Sequence, residues 1–365
     1  MSLVELMVAL AIGLIVLAAV SQLFLNTNRA YRTQDKVARV QENGRFAMYY
    51  LMKDLRLAGF TGCLRNLSSQ YLTNNLNAGT GFFFSAANLV VPVEGIDNVA
   101  ATGTPTWSPS GYNGLPSSAV NGVDVWRPNS SPSNKTYPDM LAVRMIDTAT
   151  SAAVTDSPLP SFTASPTIDP SKISAYSKGD IVLISDCTKG DIFQVSDTPS
   201  ANKLPHTTAS GLTPGNSKAS FSKQYNLNDT AAKTYKFITR RYYIAMNPNG
   251  NPSLYRDDNN GTAVELVEGI ESLKVLYGVT TPHPAVQQSG DAPQTQYYKA
   301  GDPNIDWPSV VSVKIGILAR TPTGGSIDID TKTYDVNGTT LGPFNDQYSR
   351  RVFVATISLK DQILP

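Results

Sequence analysis

The chain has little charge and few of the side chains on which enzyme catalysis usually depends. Only 16% of its 365 residues are charged, and 30 Lys and Arg against 29 Asp and Glu leave a net charge of +1. Such a chain gives no electrostatic reason to expect binding to nucleic acid or to an acidic surface. Its two histidines, His206 and His283, lie in Pro- and Thr-rich sequence and offer little for a Ser-His-Asp or Cys-His arrangement. We therefore predict no catalytic activity and no cofactor.

One long apolar run stands at the start of the chain. Residues 3–25 contain no proline and no charge except Glu5. As a helix rising about 1.5 Å per residue, this run reaches roughly 34 Å, which exceeds the ~30 Å hydrocarbon core of a bilayer. A carboxylate inside such a span costs about 2.5–3.5 kcal/mol on insertion scales, so Glu5 predicts a functional role and a partner. The nearest candidate partner is an N-terminal amine, either its own or that of a neighbouring subunit.

Two other interpretations of the run stay open. A secretory signal peptide would also be apolar and could be cleaved after Ser21, although the length of the run and the presence of Glu5 argue against it. A plain membrane anchor is the second alternative, with the Glu5 carboxylate reaching the lipid headgroups.

The helix is predicted to continue beyond the membrane as an amphipathic segment. Apolar or small residues recur there every three or four positions, while charged residues occupy mostly other faces. The recurring positions are Ala30, Val37, Val40, Gly44, Met48, Leu51, Leu55 and Ala58. Gly59 then predicts the end of the helix, close to Ala58. The second half of this long helix must pack on a globular body.

That body is predicted to be rich in β-strands. Alternating or β-branched residues indicate strands near 140–146, 180–185, 191–195, 235–246, 309–320 and 350–359. The similar segments 178–181 and 189–192 predict the two arms of one hairpin, with Cys187 near its tip. We expect one mainly antiparallel sheet with one face covered by the amphipathic half of the helix.

Long polar stretches separate these strands, at about 66–80, 97–138, 148–177 and 197–232. Their composition is typical of linkers, but scattered aromatic residues favour ordered surface loops with small clusters of their own. These aromatic residues are Trp107, Tyr112, Trp126, Phe162 and Tyr225.

The chain has two cysteines, Cys63 and Cys187. Two is the number needed for one disulfide, and two free cysteines are equally common in cytosolic proteins. Beyond a membrane span, the interpretation as a periplasmic disulfide is favoured.

Two polar motifs point only weakly to ligands. Asp257 and Asp258 open an oxygen-rich segment that is a weak candidate for a metal site, but the spaced acids and final Glu of an EF-hand are missing, which favours a hairpin turn. Residues 240–243 read Arg-Arg-Tyr-Tyr, yet successive side chains of a strand alternate between faces, so no continuous basic patch follows. We expect no metal and no nucleic-acid partner.

The N-terminal sequence resembles the class III N-terminus of type IV pilins and type II secretion pseudopilins. Ser2-Leu3-Val4-Glu5-Leu6 precedes the apolar stretch, and Glu5 matches the family's glutamate. The resemblance implies a basic leader ending in Gly and a methylated N-terminal residue, with Met1 at the position of the family's methylated Phe. Basic residues favour the cytoplasmic side of a membrane, and those that follow the span would by themselves hold the C-terminal part in the cytoplasm. A basic leader would instead keep the N-terminus in the cytoplasm and place the C-terminal part outside it.

Segments along most of the chain resemble the PilW family of minor pilins, which is similar to the J-type pseudopilins of type II secretion. They are residues 54–60 with 62–63, 185–187, 254–258 leading to 266–270 and 277–278, Trp307 before 310–311, and 350–353 with 356–357. The resemblance implies an α+β, pilin-like fold: a filament-core helix over 1–25, its amphipathic continuation over 26–59 and a β-rich head over 60–365.

The function implied by the resemblance is that of a structural subunit. We expect a minor pilin that joins a tip complex priming pilus assembly, upstream of attachment, twitching motility or DNA uptake. Its expected partners are other minor pilins, the major pilin and a large tip adhesin. Before assembly it would lie in the inner membrane with its head in the periplasm, and later at the tip of the extracellular pilus. The alternatives are a pseudopilin at the tip of a type II secretion pseudopilus and a stand-alone membrane-anchored adhesin.

Overall fold

A computed structural model describes most of the helix and the head. The described residues are 2–64, 70–77, 91–97, 119–120, 123–124, 137–156, 158–208, 211–226, 231–258, 263–281, 294–322, 324 and 329–359. The sequence predictions concerning Met1, Trp107, Tyr112, Trp126 and His283 lie outside these residues.

A single helix, α1 (Leu3–Leu55), runs through the span and its amphipathic continuation. It ends three residues before the predicted Ala58, because the last turn tightens and the N–H of Ala58 donates to the carbonyl of Leu55 at 3.2 Å. Gly59 then adopts a φ of 78° and its N–H donates to the carbonyl of Arg144 at 2.8 Å. The predicted stop at Gly59 is confirmed as a left-handed glycine that turns the chain onto the head.

The head contains sixteen described strands and two short 3₁₀ helices. The strands are β1 (Leu72–Asn74), β2 (Val93–Ile96), β3 (Ala119–Val120), β4 (Val123–Asp124), β5 (Met140–Ala153), β6 (Ile181–Ser185), β7 (Gly190–Gln194), β8 (Lys233–Met246), β9 (Pro252–Asp258), β10 (Ala263–Glu268), β11 (Ile270–Thr281), β12 (Gln294–Lys299), β13 (Val310–Arg320), β14 (Tyr334–Val336), β15 (Thr339–Leu341) and β16 (Arg350–Ser358). The 3₁₀ helices are Pro170–Ala175 and Trp307–Ser309.

These strands form two main sheets, whereas the sequence predicted one. The large sheet has the order β1-β7-β6-β8-β5-β2, and β9 with β10 continues from the second half of β8. The small sheet has the order β12-β11-β13-β16, and two further pairs, β3-β4 and β14-β15, stand apart. All described pairs are antiparallel except β1 with β7. An alternating pattern identifies a strand but not the sheet it joins, which is why the division was missed.

The amphipathic half of α1 packs on both sheets in one core. Its buried residues include Val40, Ala47, Leu51 and Leu55, and they share a cluster with strands of both sheets. The helix lies against β16 and β13 of the small sheet and against β10 of the large one. At Gly44 of α1, the ring of Phe353 from β16 occupies the space where a side chain would lie. A Cβ added to Gly44 would be 2.1 Å from this ring. The predicted amphipathic packing is confirmed.

The hairpin β6–β7 carries the disulfide. Its strands pair antiparallel through the register that joins Ser185 to Gly190, and Cys187 lies in the connection between them. Cys63, just beyond the helix end, is bonded to Cys187, with 4.8 Å between the two Cα atoms. Both the hairpin and the disulfide predicted from the sequence are confirmed, and together they tie the end of α1 to the large sheet.

The polar segments around residues 158–226 form a second, smaller core. Tyr225 is fully buried there, and its hydroxyl donates to the buried carboxylate of Asp191 at 2.5 Å. His206 stacks on Phe221, with ring centroids 4.3 Å apart. The predicted ordered loops with their own cluster are confirmed at Tyr225, whereas the side chain of Phe162 is half exposed.

We predict that the protein has no free thiol. Labelling of the denatured, non-reduced protein should leave both cysteines unmodified, and labelling after reduction should modify two. Cys187→Ser should lower the free energy of unfolding by about 2–5 kcal/mol, because the bond closes a loop of 124 positions. Cys63→Ser should have the same effect, and the double substitution should add nothing. Two reactive thiols before reduction would contradict the disulfide.

We also predict that His206 makes stability fall in mild acid. Burial lowers the pKa of His206 below its usual 6.5, and nearby backbone groups and Asp191 offset this only in part. The unfolded chain therefore takes up this proton first, and the free energy of unfolding should decrease below about pH 6.5 by up to about 1.4 kcal/mol per pH unit. Urea unfolding of wild type and His206→Phe between pH 7.5 and 5.5 measures this. Equal slopes in the two proteins would exclude His206 as the cause.

Candidate functional site

The first half of α1 has no protein surface to pack on. Residues Leu6–Asn28 form a helix apolar and long enough to cross a membrane, and none of this segment is buried against the described head. Large apolar side chains are exposed on every side of it, Leu10, Ile15 and Phe24 among them. Burial of this surface requires lipid or a bundle of other helices. This apolar segment, here called the anchor, is therefore suited to a membrane or to a bundle of helices.

Of the two predicted site residues of the N-terminus, the structure describes the backbone of one. Glu5 lies in the first turn of α1, immediately before the segment Leu6–Asn28. Met1 is outside the described residues. The pairing of Glu5 and the modification of Met1 both stay predictions.

Beyond the anchor, the outer face of α1 carries aromatic residues in contact with solvent. Tyr31, Phe46 and Tyr49 are each at least half exposed. Phe46 and Tyr49 line a shallow groove of about 610 Å³ together with Glu42 and Arg45. Large exposed aromatic side chains grouped in this way are typical of interaction surfaces. This face is continuous along the helix with the anchor.

The base of α1 is held to the large sheet by a buried acid. Asp54 is 2% exposed and accepts two hydrogen bonds from Arg240, at 2.9 and 3.0 Å, and one from the hydroxyl of Tyr242. Burial raises the pKa of Tyr242, and the adjacent Asp54 carboxylate raises it further. Burial alone would lower the pKa of Arg240, but Asp54 and Asp258 raise it overall. The helix therefore leaves the head at a fixed position.

Sequence reasoning missed this role of Asp54. The signal was present, because Asp54 lies three residues after Leu51 and so falls on the apolar face of the helix, where an acid needs a buried partner. Its partners come from β8, more than 180 positions away, and nothing local in the sequence identifies them.

The two weak metal candidates are both engaged by arginines. Asp257 is fully buried and pairs with Arg241, while Asp258 lies 3.4 Å from Arg240 and 3.3 Å from Arg256. Among the described residues, no group of three His, Cys, Asp or Glu could hold a metal ion. The favoured interpretation of the motif is confirmed, since β9 and β10 pair as an antiparallel hairpin. In the Arg-Arg-Tyr-Tyr run, Arg240 pairs with Asp54 of α1 and Arg241 pairs with Asp257 of β9, so each arginine is engaged by a different acid.

A second buried arginine organises the C-terminal part of the head. The side chain of Arg350 is fully buried and donates to Glu271, Asp330 and Asp346 at 2.6–2.9 Å. Burial would lower the pKa of Arg350, but these three carboxylates raise it well above its usual value. Arg350 thereby ties the first residue of β16 to β11 through Glu271. It also ties this residue to the segment before β14 through Asp330 and to the segment before β16 through Asp346.

Comparisons with known proteins found one family model and a solved structure. The family model "Type IV Pilus-assembly protein W" (PilW) matches residues 241–361, which include β9 to β16. Among solved structures, a type IV-like pilin, TTHA1219 of Thermus thermophilus, is 17% identical over 34% of this chain and 66% of its own, at a TM-score of 0.19. No curated protein sequence matches the chain significantly.

The predicted fold class is confirmed by the structure itself, because one N-terminal apolar helix packs on a mainly antiparallel, β-rich head. The matched segment contains the closing residues on which the resemblance was based, from Arg350 to Ile357. The predicted resemblance is confirmed as well, since residues 241–361 match the family model of the type IV pilus assembly protein W.

Proposed function

We propose that this protein is a minor pilin that joins a tip complex and primes the assembly of a type IV pilus. The observation that carries the proposal is the contrast within α1. Its first half is apolar and bare, while its second half is fixed to the head by a packed core, a buried ion pair and a disulfide. This arrangement suits a subunit that rests in the membrane and then transfers the same helix surface to a bundle of similar helices.

Glu5 would provide the register of that bundle. As a lone carboxylate in an apolar helix, it lowers its free energy by pairing with the N-terminal amine of an adjacent subunit. A helix that slides by one turn would separate the two charges in a medium that solvates neither. The pair would therefore specify where one subunit stops along its neighbour, as well as hold it there.

The disulfide supports a periplasmic head. Such bonds form and persist in oxidising compartments and are rare in the bacterial cytoplasm. We propose that the head of this protein lies in the periplasm before assembly and outside the cell, at the pilus tip, afterwards. We propose a structural role without catalysis for the same protein.

Glu5→Ala tests the assembly role. We expect this variant to insert in the membrane at least as well as wild type, because it removes a buried charge, and to reach sheared pili or the priming complex in much lower amounts. Glu5→Gln is the matched control of nearly equal size, and it should be equally defective if the charge is what matters. Quantitative immunoblots of membranes and sheared pili provide the measurement. Normal incorporation of both variants would favour the plain membrane anchor.

A fragment that begins at Asn26 tests the division of labour along the chain. It keeps the amphipathic half of α1, both cysteines and every strand, so it should be soluble, folded and rich in β-structure. It should bind other minor pilins weakly, because the bundle contacts of the anchor are gone. Full-length protein in detergent should bind them much more tightly.

The same comparison separates the alternatives. Binding of the fragment to a glycan or a cell surface, with no affinity for any pilin, would favour the stand-alone adhesin. Selective binding of the full-length protein to secretion pseudopilins would favour the pseudopilus tip.

A further inference from the structure

Strand β16 forms one edge of the small sheet, and only one side of it is paired. Its nine residues, Arg350–Ser358, pair with β13 in a continuous register without a bulge. Within the described residues no strand lies on the other side. A regular edge of this length presents a row of free backbone groups.

The hydrogen bonds at the two ends of the strand show which of its backbone groups point away from β13. The N–H of Leu359 donates to Val311 at 2.8 Å, and the N–H of Thr321 donates to Ser349 at 3.0 Å. Odd-numbered residues of β16 therefore bond to β13, and in an antiparallel pair the alternate residues point away. The outward backbone groups belong to Arg350, Val352, Val354, Thr356 and Ser358.

This edge lacks the devices that usually protect one. From Val352 to Ser358 there is no charged residue and no proline. The other described edges of the two main sheets are shorter, with three residues in β1, four in β2 and six each in β10 and β12, and β10 also carries Glu265 and Glu268. Natural sheets avoid unintended pairing by shortening or charging their edges. The longest described edge of the two sheets is thus uncharged and free of proline over seven consecutive residues, which suits it to pairing with another strand.

The edge is also held rigidly in place. The ring of Phe353 packs against α1 at Gly44, and Arg350 is fixed by three carboxylates. On the opposite face Val354 is 48% exposed, and Thr356 and Ser358 are exposed too. A partner would therefore meet a preformed ladder with small, uncharged side chains.

We propose that the outer edge of β16 accepts an extended, uncharged segment of about five residues from a different subunit of the pilus. Only an extended backbone can pair with the alternating N–H and C=O groups of this edge. The side chains of Val354 and Thr356 are uncharged, so a charged side chain on the partner segment would find no opposite charge beside them. A different subunit fits better than a second copy, because edge-to-edge pairing of two copies closes as a dimer, whereas subunits of a filament meet through unlike surfaces. This inference rests on the proposed function and names the kind of contact that the head makes.

Amide hydrogen exchange resolved to single residues tests the pairing. Full-length protein is measured alone in detergent, in native membranes and in sheared pili. The amides of Val352, Val354, Thr356 and Ser358 should exchange fast in the isolated protein and at least about tenfold slower in one of the assembled fractions. The alternate amides of Phe353, Ala355 and Ile357 should be protected in all three samples, which serves as the internal control.

Two variants make the test specific. Thr356→Pro removes one outward N–H while leaving the ladder with β13 intact, and Val354→Lys adds a charge to the exposed face of the edge. Both should abolish the added protection, and unchanged protection at Phe353 and Ala355 would show that the fold survives. Ile329→Lys is the matched control, because Ile329 is also exposed but lies outside β16. It should retain the added protection.

Three results would overturn the proposal. The first is equally fast exchange of the outward amides in all samples. The second is their protection in dilute isolated protein, since the chain would then cover its own edge. The third is protection of the isolated protein that grows with its concentration, since the partner would then be a second copy. Absence of the protein from pili would contradict the proposed function instead, and exchange in native membranes would still decide the pairing.

Discussion

The structure depends on a single helix with two halves that require different surroundings. The half from Val40 to Leu55 is buried in a core built by both sheets, so the head supplies its partner. The first half is apolar on all sides and is not buried against any described part of the head, and exposing it to water would cost about 25 cal/mol for each Å² of apolar surface. Lipid or other helices must therefore cover it at every stage. Because the two halves form one continuous helix, whatever holds the first half also positions the head.

Several charged residues of the head form buried pairs. Asp54 with Arg240, Arg350 with its three carboxylates, and Arg144 with Glu94 at 2.7 Å all lie largely out of water. Buried pairs of this kind add little net stability, because desolvation offsets their attraction, but breaking one leaves an unpaired charge inside the protein. Asp54 with Arg240, Arg350 with Glu271, and Arg144 with Glu94 each join elements that are distant in the sequence. We infer that they define how the helix end, the two sheets and the C-terminal loop fit together.

This division bears on how a pilus subunit can work. A helix that is bound through its apolar surface can exchange lipid for neighbouring helices without any change in the head. The head, tied to the helix end by Asp54 and by the Cys63–Cys187 disulfide, would then follow the helix as a rigid body. The specific contacts between subunits would fall to the outer face of α1 and to open edges such as β16.

The sequence by itself determined the features that depend on local pattern. The apolar run, the amphipathic continuation, the stop at Gly59, the hairpin around Cys187 and the strands β8, β13 and β16 follow from periodicity and turn residues, and the resemblance to PilW follows from short segments. Only the tertiary structure decided that the strands divide into two sheets, that Asp54 meets Arg240, and that one side of β16 stays open. These depend on residues far apart in the chain, and a periodic pattern records which face of an element is buried without recording what lies against it.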